Sequence, residues 1–306
     1  MNSTLVGKMQ SDLFMPDSWT ALLIVLTDFL VLQFSYFLDY TKEALEHFFI
    51  AVIFYCLTCV FLYMAIAKWQ ILNFNKDVNN PRRVLLVTAH PDDECMFFGP
   101  TILNLTRRQG CTVYIMCLSK GDHYGMGKIR KNELYEACQV LGVNESCIVL
   151  QSHSLLPDSI TKKWPVELIA NMILDHVERY SIDTLITFDK HGVSQHLNHC
   201  SIYYAITYLV IEKNLPEDCK AYVLESINIL RKFWLILDIP ICYFLSRHRY
   251  ILSMKDCNIV KMAMKKHESQ LVWFRRLYLL FSRYILINTL QQVELTDLEL
   301  EIELDD

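Results

Sequence analysis

The sequence lacks an excess of basic residues. Its 306 residues include 29 Lys and Arg against 34 Asp and Glu, which gives a formal net charge of −5. A protein that binds nucleic acid through the phosphates needs a basic patch or stripe. The charge balance therefore argues against a nucleic-acid partner.

The sequence also lacks a disulfide framework, a dinucleotide-binding motif and internal repeats. The eleven cysteines are odd in number and irregularly spaced, and several fall in apolar runs where cysteine packs as a small hydrophobic residue. No G-x-G-x-x-G follows the first predicted strand, which disfavours a dinucleotide cofactor. No basic region and small-residue cleavage site frame the N-terminal apolar residues, so we do not expect a cleaved signal peptide.

Charged residues are missing from one long stretch near the N-terminus. Residues 47–67 contain no Asp, Glu, Lys or Arg, and about 20 apolar residues form a helix long enough to cross a bilayer. A second apolar segment, residues 19–38, contains Asp28 and Gln33. A carboxylate in mid-bilayer costs about 3 kcal/mol, so this segment either crosses the membrane or lies in its interface.

The charges that flank these segments predict an orientation. Residues 39–46 form an acidic loop between them, whereas basic residues follow the second segment at positions 68, 76, 82 and 83. The positive-inside rule then places everything after residue 68 in the cytosol. We expect a membrane anchor over residues 1–72, a linker over 73–83, an α/β catalytic domain over 84–290 and an acidic tail over 291–306.

Strand-like and helical patterns alternate after the linker. The predicted strands are 84–89, 112–118, 147–151, 184–188 and 222–225, and the predicted helices are 96–108, 128–141, 166–180 and 198–212. This alternation predicts an α/β fold, a Rossmann-like, doubly wound and mainly parallel sheet, preceded by one or two N-terminal transmembrane helices. In such sheets ligands bind beyond the carboxyl ends of the strands, where the winding reverses.

Chemically capable side chains follow two of these strands. The first ends in AHPDDE (residues 89–94), and the fourth is followed by three histidines in nine residues, at 191, 196 and 199. If the first strand is central, the two strands are neighbours, and His90, Asp93 and His199 converge on one crevice. Each motif alone is also typical of an ordinary His-Pro turn or an acidic first helical turn. Their positions at adjacent strand ends favour a functional site.

Two imidazoles and one carboxylate form a common catalytic zinc site, and the same set also suits iron or manganese. Of the adjacent Asp92 and Asp93, we expect one to bind the metal and the other to act as general base. A charged His196 would stabilise the oxyanion or protonate the leaving amine. Arg130 forms either an ordinary helical pair with Glu133 or a substrate contact. These residues predict metal-assisted hydrolysis.

The motifs resemble the LmbE-like family of metal-dependent N-acetylglucosamine deacetylases. The resemblance runs from about Val84 to Asn288 and rests on the blocks AHPDDE (89–94), RKNEL (130–134), TFD (187–189), HLNH (196–199) and SQLVWFRR (269–276). The last block is typical of members that act on a glycolipid. The resemblance implies a Rossmann-like deacetylase domain.

The resemblance also implies roles for individual residues. A divalent metal, foremost Zn²⁺, is implied at His90, Asp93 and His199. Asp92 is implied as the general base, and His196 as the residue that faces the oxyanion or the leaving group. Some bacterial relatives carry a tyrosine shortly before the second histidine motif, where this chain has Ser and Gln, so a polarising tyrosine does not carry over.

The implied reaction is hydrolysis of the N-acetyl group of N-acetylglucosaminyl-phosphatidylinositol in GPI-anchor biosynthesis, with Arg130 as a substrate contact. The implied location is the cytosolic face of the endoplasmic reticulum membrane, with the glycolipid and the bilayer as partners and no obligate protein partner. Two alternatives stay open. The chain deacetylates a different amino-sugar conjugate, or it is an inactive membrane scaffold that keeps the fold.

The C-terminal third contains two further apolar segments. Residues 233–245 are too short, and too interrupted by Asp238 and Pro240, to span a membrane. Residues 273–284 mix aromatic, aliphatic and arginine side chains, which suits either a helix at a membrane interface or a core helix packed on the sheet. The acidic residues 297–306 form a tail that we expect to be loose.

Overall fold

The computed structural model describes residues 18–69, 78 and 80–298. Most of the predicted linker and the tail beyond residue 298 lie outside the described residues. The chain divides into two compact units, and the boundary along the sequence falls between residues 58 and 59.

The first unit is formed by helix α1 (Ser18–Tyr63), whose last residues belong to the second unit. The predicted acidic loop over residues 39–46 is wrong, because the helix continues through it. Residues 18–63 contain no glycine or proline, and residues 39–46 include several good helix formers, so nothing interrupts the backbone hydrogen bonds. By length and composition, α1 is the one helix among the described residues that is suited to cross a membrane.

The second unit is built on a seven-stranded sheet with the order β3-β2-β1-β4-β5-β7-β6. Strands β1 to β5 are parallel, whereas β7 pairs antiparallel with β5 and with β6. The predicted doubly wound sheet with a central first strand is confirmed. The strands are β1 (Arg83–Thr88), β2 (Thr112–Cys117), β3 (Ile148–Leu150), β4 (Thr184–Phe188), β5 (Lys220–Leu224), β6 (His248–Ile251) and β7 (Ile287–Gln292).

Helices cover both faces of this sheet, with α4 packed on α10 and α5 packed on α7. The predicted helix over 96–108 is two helices, because the Gly99-Pro100 pair begins a new one. The helices are α2 (Asp93–Met96), α3 (Gly99–Thr106), α4 (Gly127–Val140), α5 (Val166–Tyr180), α6 (Gly192–Gln195), α7 (Leu197–Ile211), α8 (Ile229–Lys232), α9 (Ile239–Leu245), α10 (Met254–Lys266) and α11 (Trp273–Phe281).

The centre of the sheet is apolar and buried. Five of the six residues of β1 and all five residues of β4 are buried, as expected for parallel strands with helices on both faces. After β1 the chain crosses one face of the sheet, and after β4 it crosses the other face. A crevice therefore opens between the carboxyl ends of these two strands. The candidate site lies there.

Candidate active site

The turn from β1 into α2 places two aspartates at the strand end. Asp92 precedes α2 with a φ of +115°, a left-handed conformation that is rare outside glycine. The N–H of Asp92 donates to Oε2 of Glu94 at 3.0 Å, and Oδ2 of Asp93 accepts from the N–H groups of Ala89 and His90 at 3.0 and 2.8 Å. Asp93 is thus fixed to the strand end by two backbone N–H groups, whereas Asp92 stands in a left-handed backbone conformation.

His199 comes from the β4 side of the crevice, where it lies in the first turn of α7. Its Nδ1 donates to the carbonyl oxygen of Gly192 at 3.0 Å, and its ring stacks on Phe188 at 4.0 Å between centroids. Gly192 has a φ of +54°, and a Cβ there would lie 2.7 Å from the Cβ of His199. Only glycine allows this close approach, which directs Nε2 of the imidazole into the site.

His90, Asp93 and His199 converge on one buried point. Nδ1 of His90 lies 3.8 Å from Oδ2 of Asp93, and Nε2 of His199 lies 3.4 Å from Oδ1. Ligands of a tetrahedral zinc ion, with bonds of about 2.0–2.2 Å, stand roughly 3.3–3.6 Å apart. The spacing is therefore close to that of a metal site.

The chemistry of His199 also fits a metal ligand. Its Nε2 is buried and makes no aligned hydrogen bond, although buried polar atoms are normally paired. A metal-binding histidine typically donates its other N–H to a carbonyl or carboxylate, as His199 does to Gly192. The His90, Asp93 and His199 set thus fits a divalent cation.

Burial and mutual contact set the charges of these ligands. Burial alone raises the pKa of Asp93, but the imidazoles of His199 and His90 outweigh it and hold the pKa below its ordinary value. Burial lowers the pKa of His90 far below its ordinary value. Burial also lowers the pKa of His199, but contact with Asp93 raises it more. An ionised carboxylate and a neutral His90 are the forms that bind a metal.

Asp92 lies between two arginines. Its Oδ2 is 2.7 Å from Nη1 of Arg275, and its Oδ1 is 3.7 Å from Nη2 of Arg130. Burial raises the pKa of Asp92 to about 6, although both arginines oppose the shift. A carboxylate that titrates near neutral pH is suited to accept and return a proton.

Arg130 is buried and engaged by the protein. Nη1 donates to the carbonyl of Gly121 at 2.9 Å, and Nη2 donates to the carbonyl of Pro91 at 2.6 Å. Nη1 also lies 3.3 Å from Oδ2 of Asp158. These bonds fix the loops around Asp92, so the described contacts of Arg130 are with protein, and the predicted substrate contact stays a prediction.

His196 lies at the edge of the metal-ligand group, half-buried. Its ring is 4.9 Å from that of His90 and 4.8 Å from that of His199. Burial and the neighbouring His199 lower its pKa, so the ring is neutral near pH 7, unlike the charged form that the sequence argument expects. Its Nδ1 accepts from the N–H of Asn198 at 3.3 Å, so Nε2 carries the proton.

Sequence reasoning missed three residues of the site. Asp158 lies in the loop after β3, with Oδ1 3.3 Å from Nε2 of His90. Asn198 reaches the same nitrogen at 3.1 Å. Arg275 approaches Asp92 from α11. Asp158 lies in a loop that follows a strand, and this position could have marked it as a candidate site residue. It lies too far from the end of the strand for the sequence alone to single it out.

A buried ion pair supports the turn from behind. Nε2 of His267 lies 2.6 Å from Oε1 of Glu94, and both side chains are fully buried. Burial lowers the pKa of His267, but Glu94 raises it more, so the imidazole is held in its charged form. His191, the first of the three histidines after β4, is exposed just before α6.

A cleft of about 410 Å³ opens beside Asp158. It is bounded by the loops after β2 and β3, including Ser119, Asp122, His123, Ser152 and His153. A larger cleft of about 840 Å³ lies at the opposite end of the strands, near Arg83, Asp183 and Lys220, away from every residue discussed above. The smaller cleft adjoins the site through Asp158, which contacts His90.

Comparison with known proteins shows similarity to de-N-acetylases. Residues 85–210 match the model of the family described as "PIG-L: GlcNAc-PI de-N-acetylase". The chain is 44% identical over 209 residues to N-acetylglucosaminyl-phosphatidylinositol de-N-acetylase of Bos taurus. The aligned residues cover 68% of this chain and 82% of the relative. It is 38% identical over 216 residues to a probable enzyme of the same name from Schizosaccharomyces pombe, with 68% and 86% covered.

The fold is similar to that of a solved deacetylase. The structure of N,N'-diacetylchitobiose deacetylase from Pyrococcus horikoshii superposes with a TM-score of 0.54 over 76% of this chain and 91% of that one. The two sequences are 13% identical, so the likeness concerns the fold.

Proposed function

The chain belongs to the PIG-L family of de-N-acetylases, and on that premise we propose that it hydrolyses the N-acetyl group of N-acetylglucosaminyl-phosphatidylinositol. The products are glucosaminyl-phosphatidylinositol and acetate, in the second step of GPI-anchor biosynthesis. The observation that carries the proposal is the convergence of His90, Asp93 and His199 beside the buried carboxylate of Asp92. A scaffold without activity has no need of this arrangement.

His90, Asp93 and His199 would hold the divalent cation, with Zn²⁺ as the first candidate. When bound, the cation supplies Lewis-acid chemistry, which lowers the pKa of water and polarises a carbonyl. The carbonyl of Gly192 and the N–H groups of residues 89 and 90 keep two of these ligands oriented.

Asp92 is the general base of the proposed reaction. It takes a proton from the attacking water as the new C–O bond forms at the acetyl carbon. It returns that proton to the sugar nitrogen as the C–N bond breaks, so a neutral amine leaves together with acetic acid. The acid then loses its proton to solvent and departs as acetate. Arg275 and Arg130 keep the carboxylate in place during both transfers.

His196 stabilises the oxyanion in this scheme. Because its Nδ1 accepts from the backbone of Asn198, the proton on Nε2 is free to donate a hydrogen bond to the carbonyl oxygen as negative charge develops. A neutral imidazole performs this role without a change of charge. The sugar occupies the cleft beside Asp158.

Helix α1 anchors the enzyme in the proposed setting. Its described apolar side chains from Leu22 to Leu57 are mostly exposed, which is favourable in a hydrocarbon environment and unfavourable in water. The basic residues after it favour the cytosolic side of the endoplasmic reticulum membrane for the catalytic unit.

The test is acetate release by the purified full chain from the glycolipid and from a water-soluble N-acetylglucosamine conjugate. We expect release from the glycolipid and a loss of about 10²–10⁴-fold in kcat for Asp92→Asn with unchanged folding. A preference for the soluble conjugate would favour the alternative of another amino-sugar substrate. Normal turnover by Asp92→Asn would contradict the assignment of the base.

A further inference from the structure

An apolar surface lies exposed on the second unit. We name it the apolar rim, and it comprises Phe244 and Leu245 of α9 with Trp273, Phe274, Leu280 and Phe281 of α11. Phe244 is 82% exposed and Trp273 is 73% exposed. Large exposed apolar patches generally mark an interaction surface. The rim is therefore a candidate interaction surface.

A buried ion-pair cluster joins the segments that carry the two halves of the rim. Asp238, which directly precedes α9, pairs with Arg231 at 2.6 Å and with Arg283, just after α11, at 3.0 Å. Nζ of Lys232 lies 5.6 Å from the ring centre of Tyr278 on α11. Since Asp238 is fully buried between both arginines, the segments keep a fixed arrangement.

The rim adjoins the candidate active site. Arg275, on the same helix as Trp273, contacts Asp92. The hydroxyl of Tyr278 donates to the carbonyl of Met96 at 3.3 Å. The ring of Phe97 then bridges from Tyr278, at 6.1 Å, to His199, at 5.9 Å. Whatever covers the rim lies next to the site.

The end of α1 reaches the same region. Within the second unit, Sγ of the buried Cys59 lies 3.9 Å from the carbonyl of Leu237, two residues before α9. The hydroxyl of Tyr63 donates to the carbonyl of Leu252 at 3.4 Å. Residues 59–63, at the end of α1, therefore pack against the segment that precedes α9 and the segment that follows β6.

The composition of the rim suits a lipid interface. Aromatic and aliphatic side chains dominate it, and the exposed Arg247 and Arg276 border it. Aromatic rings prefer the headgroup level, and arginines extend their apolar stems while keeping the charge in water. An interface between protein surfaces needs no such basic border, whereas anionic lipid headgroups attract it.

We propose that the apolar rim inserts at headgroup depth into the bilayer that holds α1. The proposal rests on the proposed function and names the surface that serves it. The active site then opens beside the headgroup layer, and the sugar of a membrane-embedded glycolipid reaches Asp92 while its lipid chains stay in the bilayer. A water-soluble substrate would gain nothing from this docking.

The experiment uses the full chain reconstituted in vesicles and the double variant Phe244→Glu with Trp273→Glu. We expect kcat/KM on vesicle-borne glycolipid to fall about tenfold or more, because two aromatic side chains no longer insert into the bilayer. The kcat/KM on a water-soluble, short-chain analogue should be unchanged. The matched control is Ile211→Glu, an exposed apolar position on α7, which should alter neither value.

A second readout is independent of turnover. Lipids brominated along their acyl chains should quench the tryptophan fluorescence of the wild type more than that of Trp273→Phe. Equal quenching, equal losses on both substrates, or no loss on either would overturn the proposal. A change of oligomeric state in the double variant would instead assign the rim to a second copy and also overturn it. If the wild type quenches as expected but releases no acetate, the proposed function fails and the docking stands.

Discussion

Nη1 of Arg275 lies 2.7 Å from Oδ2 of Asp92. Nη1 also donates to the carbonyl and the side-chain oxygen of Gln270, at 3.0 and 2.9 Å. A residue of α11, near the C-terminal end of the unit, is thus held in contact with the carboxylate that follows the first strand. The C-terminal block of the resemblance is therefore part of the site.

Arg275→Ala tests this contact. Without Arg275, the nearest described cation to Asp92 is Arg130 at 3.7 Å, so the carboxylate loses its closest restraint. We expect kcat to fall about 10–100-fold, as for the loss of a charge-assisted contact, with a smaller change in KM. Arg275→Lys should recover part of the loss.

The matched control for that prediction is Arg276→Ala. Arg276 is exposed, and its Nε donates to the carbonyl of Leu271. Steady-state kinetics on the glycolipid in detergent micelles should leave this variant close to wild type. Equal losses for Arg275→Ala and Arg276→Ala would show that the effect comes from α11 as a whole.

Gly192→Ala tests the orientation of His199. A Cβ at position 192 would lie 2.7 Å from the Cβ of His199, in a backbone conformation that disfavours alanine. We expect metal affinity to fall about 10–100-fold, as when the partner of a metal-binding histidine is lost. Metal content after dialysis, measured by atomic emission, checks this, with His191→Ala at the exposed neighbouring position as the control. Unchanged metal content in both His199→Ala and Gly192→Ala would contradict the ligand set.

His267→Asn tests the buried pair with Glu94. Removing one partner of a buried ion pair leaves the other charge unpaired, so the free energy of unfolding should fall by about 3–5 kcal/mol. The exposed His153→Asn should change it little. Denaturant unfolding measures both variants. A loss no larger than that of the control would show that the pair does not support the turn.

The same pair predicts a pH dependence. The pKa of His267 is raised above its ordinary value of 6.5 in the folded protein, so its stabilisation is complete below pH 6.5 and declines as the pH rises through the raised value. The difference in unfolding free energy between wild type and His267→Asn should shrink over that range. A difference that grows with pH would contradict a charged His267.

Local patterns predict the parallel half of the sheet well. The strands β1 and β4 are short apolar runs that end in polar turns, so their limits and the residues beyond them follow from the sequence alone. Strand β7 inserts between β5 and β6, and nothing local specifies that long-range pairing. The same holds for contacts such as His267 with Glu94, which join distant parts of the chain.

The acidic stretch over residues 39–46 was misread for a different reason. Its charges are typical of a loop between two apolar segments. Its residues are nevertheless compatible with a helix, and no glycine or proline ends one there. Polarity alone therefore does not mark a break when backbone propensity favours continuation.

The central claim is that a divalent cation at His90, Asp93 and His199 enables hydrolysis of the glycolipid amide. The most direct measurement is acetate release from N-acetylglucosaminyl-phosphatidylinositol by the purified full chain, before and after chelation and after metal is added back. We predict that chelation abolishes release, that add-back restores it, and that Asp92→Asn stays inactive throughout while still binding metal. Full activity in the chelated, metal-free protein would contradict the claim.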